Sequence, residues 1–438
     1  MLTVAQIEAL APDASSVKSG RDLANPRKWV LLGADANSVW GECQGSGKDP
    51  YQTQIELANF GYKCTCPSRK LPCKHTLGLL FLLEKNREAF SQKEQPVWVK
   101  IWLDGRVKRA EQKAKREENP PQIDTKAQSK RQAERYAKAE AGLTDLELWL
   151  QDVMRNGLAH ARNQGYNFWN NRAARMQDAQ MPGIRTMLFE MGSVANSGND
   201  WQERLTAQLA KLNLLIEGFK RLDRLPPEVQ ADIRTAIGWT QKQEEILNEP
   251  TVRDNWLVVG QSVLPARFED NMKIQKVWLY GEQTKRYGLV LSFSVHNNPP
   301  LDTSLVAGTK LEADLVFYPS AYPLRCLVKN RHTQPVQLEK PFSGYATIKA
   351  AFKAYAEALS KNVWLSEFPA ILEQVTPVQL NANKWILRDR ENSYIPILPT
   401  YPDSWQMLAH SAGHPLTVFG EWDGEYIYPL VLWSDQRL

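Results

Sequence analysis

The sequence predicts an α+β chain of several domains: a small cysteine-bearing α/β module, a helical bundle, then a β-rich antiparallel region with an added helix. Three observations predict it. Three of the five cysteines fall within ten residues near the N-terminus. Between residues 143 and 249, apolar residues recur at spacings of 3 and 4, the period of a helix with one buried face. From about Asn255 the period becomes 2, that of strands. A length of 438 residues suits about three domains, which divide as 1–100, a linker at 101–142, 143–249 and 250–438.

In the first module, Thr3 reads as the cap of a short helix to Ala11, with Gln6 three residues on. Trp29–Gly33, Ser38–Gln44 and Tyr51–Ala58 read as strands, the last two separated by a Gly-Ser-Gly-Lys-Asp-Pro turn cluster. An apolar helix follows from about Cys73 to Lys85. In the helical block, Thr144 and Glu147 read as a capping box ahead of a stripe of Leu146, Trp149, Leu150, Val153, Met154 and Leu158. Asp200 and Glu203 repeat that signature before Leu205, Leu209, Leu212 and Ile216, and Pro182 and Pro226-Pro227 mark breaks. The strand candidates are then Trp256–Val263, Ile274–Tyr280, Tyr287–Val295, Leu311–Tyr318 and Leu324–Lys329, a small sheet or barrel. A helix at Tyr345–Lys361 precedes strands at Trp385–Arg388, Tyr394–Leu398, Leu416–Trp422 and Tyr426–Trp433, with a hairpin turn at Asp423-Gly424.

Composition excludes several classes. Hydrophobic residues at 43%, with 15 Trp, 14 Tyr and 13 Phe, supply sizeable cores and exclude wholesale disorder. No run of 18 apolar residues exists, so no membrane helix is expected. The N-terminus lacks a basic leader and carries Glu8 where a signal peptide needs an apolar core, which predicts a cytoplasmic protein. In a reducing compartment, clustered cysteines bind metal more often than they form disulfides.

The net charge of +5 is local: residues 106–140 hold 11 basic and 6 acidic side chains. With few large apolar residues and an interrupting Pro120-Pro121, this stretch reads as a solvated linker. Lys108, Arg109, Lys113, Lys115 and Arg116 make it either a mixed-charge tether or a basic arm for phosphates.

The chemistry concentrates in Lys63–His75, where Cys64, Cys66, Cys73 and His75 are spaced C-x-C-x6-C-x-H. On an extended segment, residues two apart point the same way, so Cys64 and Cys66 aim at one point. Cys73 and His75 stand at the start of the apolar helix, whose N-terminus favours thiolate. Three thiolates and an imidazole close a tetrahedron around Zn²⁺ and leave no position for water, so the expected zinc is structural. Lys63, Arg69, Lys70 and Lys74 either offset the charge of that cluster or offer a phosphate-contacting face. Cys43 reads as a thiol packed on the hairpin or an alternative ligand, and Cys326 as a core thiol. His410 and His414 read as loop histidines ended by Gly413 and Pro415, and His296 and His332 as surface groups. No phosphate-binding loop, nucleophile elbow or H-E-x-x-H occurs, and no enzyme is predicted.

The C-x-C-x(n)-C-x-H spacing, the helix carrying Leu77, Leu79 and Leu80, and the Gly-Glu-Cys-Gln-Gly-Ser-Gly-Lys-Asp-Pro-Tyr lead-in resemble the bacterial SWIM zinc finger family over about residues 39–85. The resemblance implies a structural zinc and a recognition role. It also implies protein partners such as MoxR-type AAA+ ATPases or von Willebrand factor A domain proteins, beside which such proteins are often encoded. DNA or RNA is the other partner class that the resemblance implies.

Overall fold

The computed structural model describes all residues except 1–3, 12–13, 46–48, 58–60, 69–71, 92–93, 119–124, 199, 267–271, 296–298, 300, 339–342, 382–383 and 434–438; side chains at 5–6, 9, 14, 109–118 and 125–129 are likewise outside the described set. The expected caps at Thr3 and Gln6, and His296, fall outside it. The chain forms two compact units, 1–125 and 126–438.

In the first unit, α1 (Val4–Leu10) and α2 (Ala14–Leu23) precede a four-stranded antiparallel meander. Its strands are β1 (Trp29–Ala34), β2 (Ser38–Cys43), β3 (Tyr51–Glu56) and β4 (Gly61–Cys64), in that spatial order. The helix α3 (Lys74–Lys85) packs on one face, where Val39, Cys43 and Ile55 meet Leu77, Leu79 and Phe81. Every residue of α3 from His75 to Leu83 is buried, because α2 lies against its other side. That approach depends on glycine: a Cβ on Gly78 would stand 2.7 Å from the Leu23 Cβ, and one on Gly20 2.7 Å from that of Leu77. The helix α4 (Val97–Glu118) buries Val99 and Trp102.

The second unit begins with α5 (Thr125–Asn156), α6 (Leu158–Asn163), α7 (Gly165–Asp178), α8 (Pro182–Ala195), α9 (Trp201–Lys220), α10 (Pro227–Ala236) and the short α11 (Gln243–Ile246). Trp149, Trp169, Leu188 and Leu212 lie in one continuous core. Pro182 and Pro227 open α8 and α10, where a missing N–H costs nothing. The expected capping box at Thr144 is absent: α5 runs straight through it, and the Thr144 hydroxyl donates to the Glu140 carbonyl one turn back. Core packing reaches upstream to Ala139 and Tyr136, with the Arg135 guanidinium 4.4 Å over the Trp239 ring. Met154, expected in the stripe, is 58% exposed. Asp200 does cap α9, but at φ 65° and without a side-chain cap bond.

The strands β5 (Thr251–Pro265), β6 (Met272–Gly281), β7 (Tyr287–Val295), β8 (Thr309–Phe317), β9 (Arg325–Arg331) and the short β10 (Val336–Gln337) come next. Since β8 pairs with both β5 and β9, and β9 pairs with β7, five strands close into a small barrel. The β7–β9 pair is parallel, a departure from the all-antiparallel expectation. Cys326 is a fully buried thiol in that barrel core.

The helix α12 (Ile348–Lys361) then covers a five-stranded sheet of β11 (Phe368–Asn381), β12 (Lys384–Arg388), β13 (Tyr394–Pro396), β14 (Leu416–Trp422) and β15 (Ile427–Trp433). Between β13 and β14 lies α13 (Ser404–Ser411). His410 therefore sits in a helix rather than in the expected loop, and His414 follows the left-handed Gly413. Residues 332–333 border a strand end as expected, but His332 is also paired: its Nε2 lies 2.8 Å from Asp314 Oδ2. The other face of this sheet, through Ile371 and Phe419, packs on Leu257, Val259 and Trp278 outside the barrel. Gly260 permits that approach, since a Cβ there would lie 2.3 Å from the Phe419 ring. The bundle and the β region are stitched together by Asp232 of α10, which accepts from Ser320 Oγ at 2.6 Å, Ala321 N at 2.9 Å and Asn362 Nδ2 at 2.9 Å.

At the barrel–sheet junction Lys276 is only 15% exposed. Its ammonium binds Glu367 and reaches Glu421 Oε2 at 3.3 Å, while Trp278 Nε1 donates to Glu421 Oε1 at 2.7 Å. Burial pulls the Lys276 ammonium down, but the two carboxylates more than offset this and leave it above its ordinary value. Replacing Lys276 with Met is expected to strand buried carboxylate and cost about 3 kcal/mol. A urea melt of the unit would read this as a lower midpoint; an unchanged midpoint would contradict the pairing.

Candidate metal centre

The site is assembled from the end of one strand and the start of one helix. In the β3–β4 pair Thr53 stands opposite Cys64. The pairing continues one residue further: Thr65 N donates to Gln52 O at 3.0 Å, and Gln52 N donates to Thr65 Oγ1 at 3.0 Å. The chain is thus still held against β3 between Cys64 and Cys66. The helix pair follows from capping. Cys73 is the N-cap of α3, with extended backbone (φ −73°, ψ 166°). Its carbonyl takes the first helical bond from Leu77 N at 3.0 Å, which places His75 in the first turn.

The donor atoms of Cys64, Cys66, Cys73 and His75 all lie within 4.8 Å of one another. His75 Nδ1 lies 3.8 Å from Cys64 Sγ and 3.9 Å from Cys73 Sγ. A tetrahedron with Zn–S near 2.3 Å and Zn–N near 2.0 Å requires separations of about 3.5–3.8 Å. The four donors therefore fit zinc with a small contraction, and they use His75 Nδ1. Cys73 is fully buried and His75 is 4% exposed.

Cys73 is the thiol of the set that its surroundings push down. The Cys64 thiol hydrogen bond is the largest influence, and with those of His75 and Thr76 it overcomes burial and holds Cys73 down to about 3. The same bond to Cys73 pushes Cys64 up, helped by burial. Zinc relieves this sharing of protons by taking every sulfur as thiolate. The positive end of α3 favours the same charge state.

Residues that sequence reasoning passed over hold the ligands in place. Thr53 Oγ1 lies 3.1 Å from Cys64 Sγ, and Thr76 Oγ1 lies 3.4 Å from Cys73 Sγ. The Tyr51 ring lies 4.9 Å from that of His75. Thr53 was reachable from the sequence only with the β3–β4 register in hand. Cys43 is fully buried in the module core and stands outside the four-donor cluster, so it packs rather than ligates.

Of the basic residues near the ligands, the described ones do not share one face of the metal site. Lys63 pairs across from Gln54, one residue from Cys64, so it projects from the opposite face of the sheet. Lys63 and Lys74 are exposed, and Arg69 and Lys70 lie outside the described residues. Lys108 is exposed on α4; the side chains of Arg109, Lys113, Lys115 and Arg116 lie outside the described set. Arg106, counted with the solvated basic stretch, is instead a structural group. It donates to Glu56 Oε2 at 2.7 Å, stacks 5.4 Å from Trp102, and fills the space that a Cβ on Gly61 would need. The first part of α4 is thus fastened to the finger's hairpin.

A zinc-finger module of the strand-pair and helix-pair kind is what this geometry defines. Comparison with protein families agrees: the SWIM zinc finger profile matches residues 51–84, and the SWIM-associated four-helix bundle domain matches residues 134–237. The chain thus carries a SWIM zinc finger and a SWIM-associated helical bundle domain, and the finger's four donors stand as zinc ligands. No curated protein and no solved structure matches it.

Purified protein should carry about one equivalent of zinc per chain, read by elemental analysis; zinc-free protein from zinc-replete medium would contradict the site. Cys73→Ser should release the metal, since serine is a poor ligand. Chelation should expose the first unit to protease and leave residues 134–237 resistant, because that bundle has its own core. Loss of the bundle's helical circular dichroism on chelation would overturn this independence.

Proposed function

We propose that this is a non-enzymatic, zinc-binding recognition adaptor acting in a protein assembly. The observation that carries the reading is the donor set: four protein groups complete the zinc shell and leave no position for a substrate or water. A metal in that state folds a surface and performs no chemistry. Neither of the two matched domains belongs to an enzymatic family. In this reading the finger module and the bundle–β unit hold separate contacts in one assembly. A MoxR-type AAA+ ATPase or a von Willebrand factor A domain protein would be the partner class. No helix among the described residues is long and apolar enough to cross a membrane, and the assembly is proposed to be cytoplasmic.

A nucleic-acid role for the finger rests on the exposed Lys63, Lys74 and Lys108. Against it, Lys63 faces away from the metal side, and six acidic residues interleave with the basic stretch. The adaptor reading predicts that a native pull-down retains its protein partner after nuclease treatment. It also predicts no salt-sensitive shift of duplex DNA or RNA at about 50 mM salt. If a shift does occur, changing Lys108, Arg109, Lys113, Lys115 and Arg116 to Gln should flatten its salt dependence by several units, at about 0.9 per lost contact. That result would favour nucleic acid over the adaptor.

A further inference from the structure

The outer face of β5, β6 and β7 does two things along its length. At Trp278 it packs on the second sheet through Phe419. One row further on, Ser262, Lys276 and Leu291 stand side by side. The next row on the same face is Leu264, Ile274 and Phe293, followed by Met272 beside Val295. Here the second sheet no longer covers the ribbon: Leu264 is 43% exposed, Phe293 42% and Val295 44%. An apolar three-stranded surface of this kind is uncommon on a free protein and marks a contact site.

Where the covered part meets the uncovered part there is a cleft of about 240 Å³. Leu264 lines it from the ribbon side, and Tyr426 and Tyr428 from the second sheet. Its charged groups are Lys276, Glu367, Glu421 and Asp423, three carboxylates to one ammonium. Lys276 is bound by Glu367 and Glu421. Asp423 Oδ1 takes the Glu425 and Tyr426 amides of the hairpin turn, at 2.7 Å each. The excess of negative charge stands next to the exposed apolar rows, and tyrosine faces suit a planar cation.

We propose that this ledge docks a partner-protein segment in which an arginine is flanked by large apolar side chains. The apolar residues lie on the Leu264–Ile274–Phe293 row, and the guanidinium enters the acidic cleft between Glu367 and Asp423. Charge complementarity selects this occupant: an acidic segment would meet three carboxylates, and a wholly apolar one would leave the cleft unmatched. The inference rests on the adaptor reading for the existence of a partner and supplies the chemistry of its contact.

Two fluorescent nine-residue peptides test it on the full-length, zinc-loaded protein. One carries arginine between leucines and phenylalanine; the other has glutamate in place of that arginine. Fluorescence anisotropy should show at least tenfold tighter binding of the arginine peptide. The Glu367→Gln and Asp423→Asn double change keeps the hydrogen-bonding shapes and should abolish the preference. Phe293→Ser should weaken both peptides, with circular dichroism melts confirming a folded protein in each case. Equal binding of the two peptides, no binding of either, or a preference that survives the double change would overturn the proposal. So would a dimer in sedimentation that Phe293→Ser converts to monomer, since the ledge would then belong to a second copy. None of these outcomes touches the adaptor reading, which fails separately if nuclease-treated pull-downs hold no protein.

Discussion

The first unit depends on one constraint: four soft donors from two different elements must converge on one point. A four-residue edge strand and a helix start are weak anchors by themselves. Cys64 and Cys66 are held by the extended pairing of β4 and Thr65 along β3. Cys73 and His75 are held by the first turn of α3, which the glycine contacts at Gly20 and Gly78 press against α2. Bringing three sulfurs together in a buried place costs free energy, because thiolates repel and thiols waste their charge-binding capacity. Zinc reverses that cost, so that metal binding and folding of the module are one event.

The second unit has a different logic. Its bundle and β region each bury large aromatic cores, and contacts such as Asp232 with Ser320 and Asn362 join them. Here the buried carboxylates Asp232 and Asp389 each accept from three partners. The Lys276 network is the exception in kind. Hydrophobic residues of similar size would serve stability equally well there, and this charged junction beside an uncovered apolar ledge is what the proposed docking contact is built on.

Much of this was legible in the sequence where local chemistry decides the outcome. The metal ligands announce themselves by side-chain type and by the period of the strand and helix that carry them. β7 and β14 were read to the residue, since alternation and flanking turns are strong in both. The β11 strand escaped because it is buried on both faces at Ala370, Ile371 and Leu372, which erases alternation, and because Pro369 and Pro377 argue against a strand. Thr144 looked like a cap because Glu147 follows it, yet tertiary packing back to Ala139 carries the helix through. Arg106 looked solvated because no sequence rule reports Glu56 and Trp102 as its neighbours. Lys63, by contrast, turns away from the metal by the same alternation that aims Cys64 and Cys66 at it.

The central claim is a closed zinc shell of three sulfurs and one imidazole nitrogen, and X-ray absorption at the zinc edge tests it most directly. The geometry of Cys64, Cys66, Cys73 and His75 Nδ1 predicts three sulfur scatterers near 2.3 Å and one nitrogen near 2.0 Å, with the imidazole pattern of outer-shell scattering. A fourth sulfur would mean that Cys43 displaces His75. A light-atom ligand without the imidazole pattern would mean an open position for water, and the structural, non-catalytic reading of the metal would be wrong.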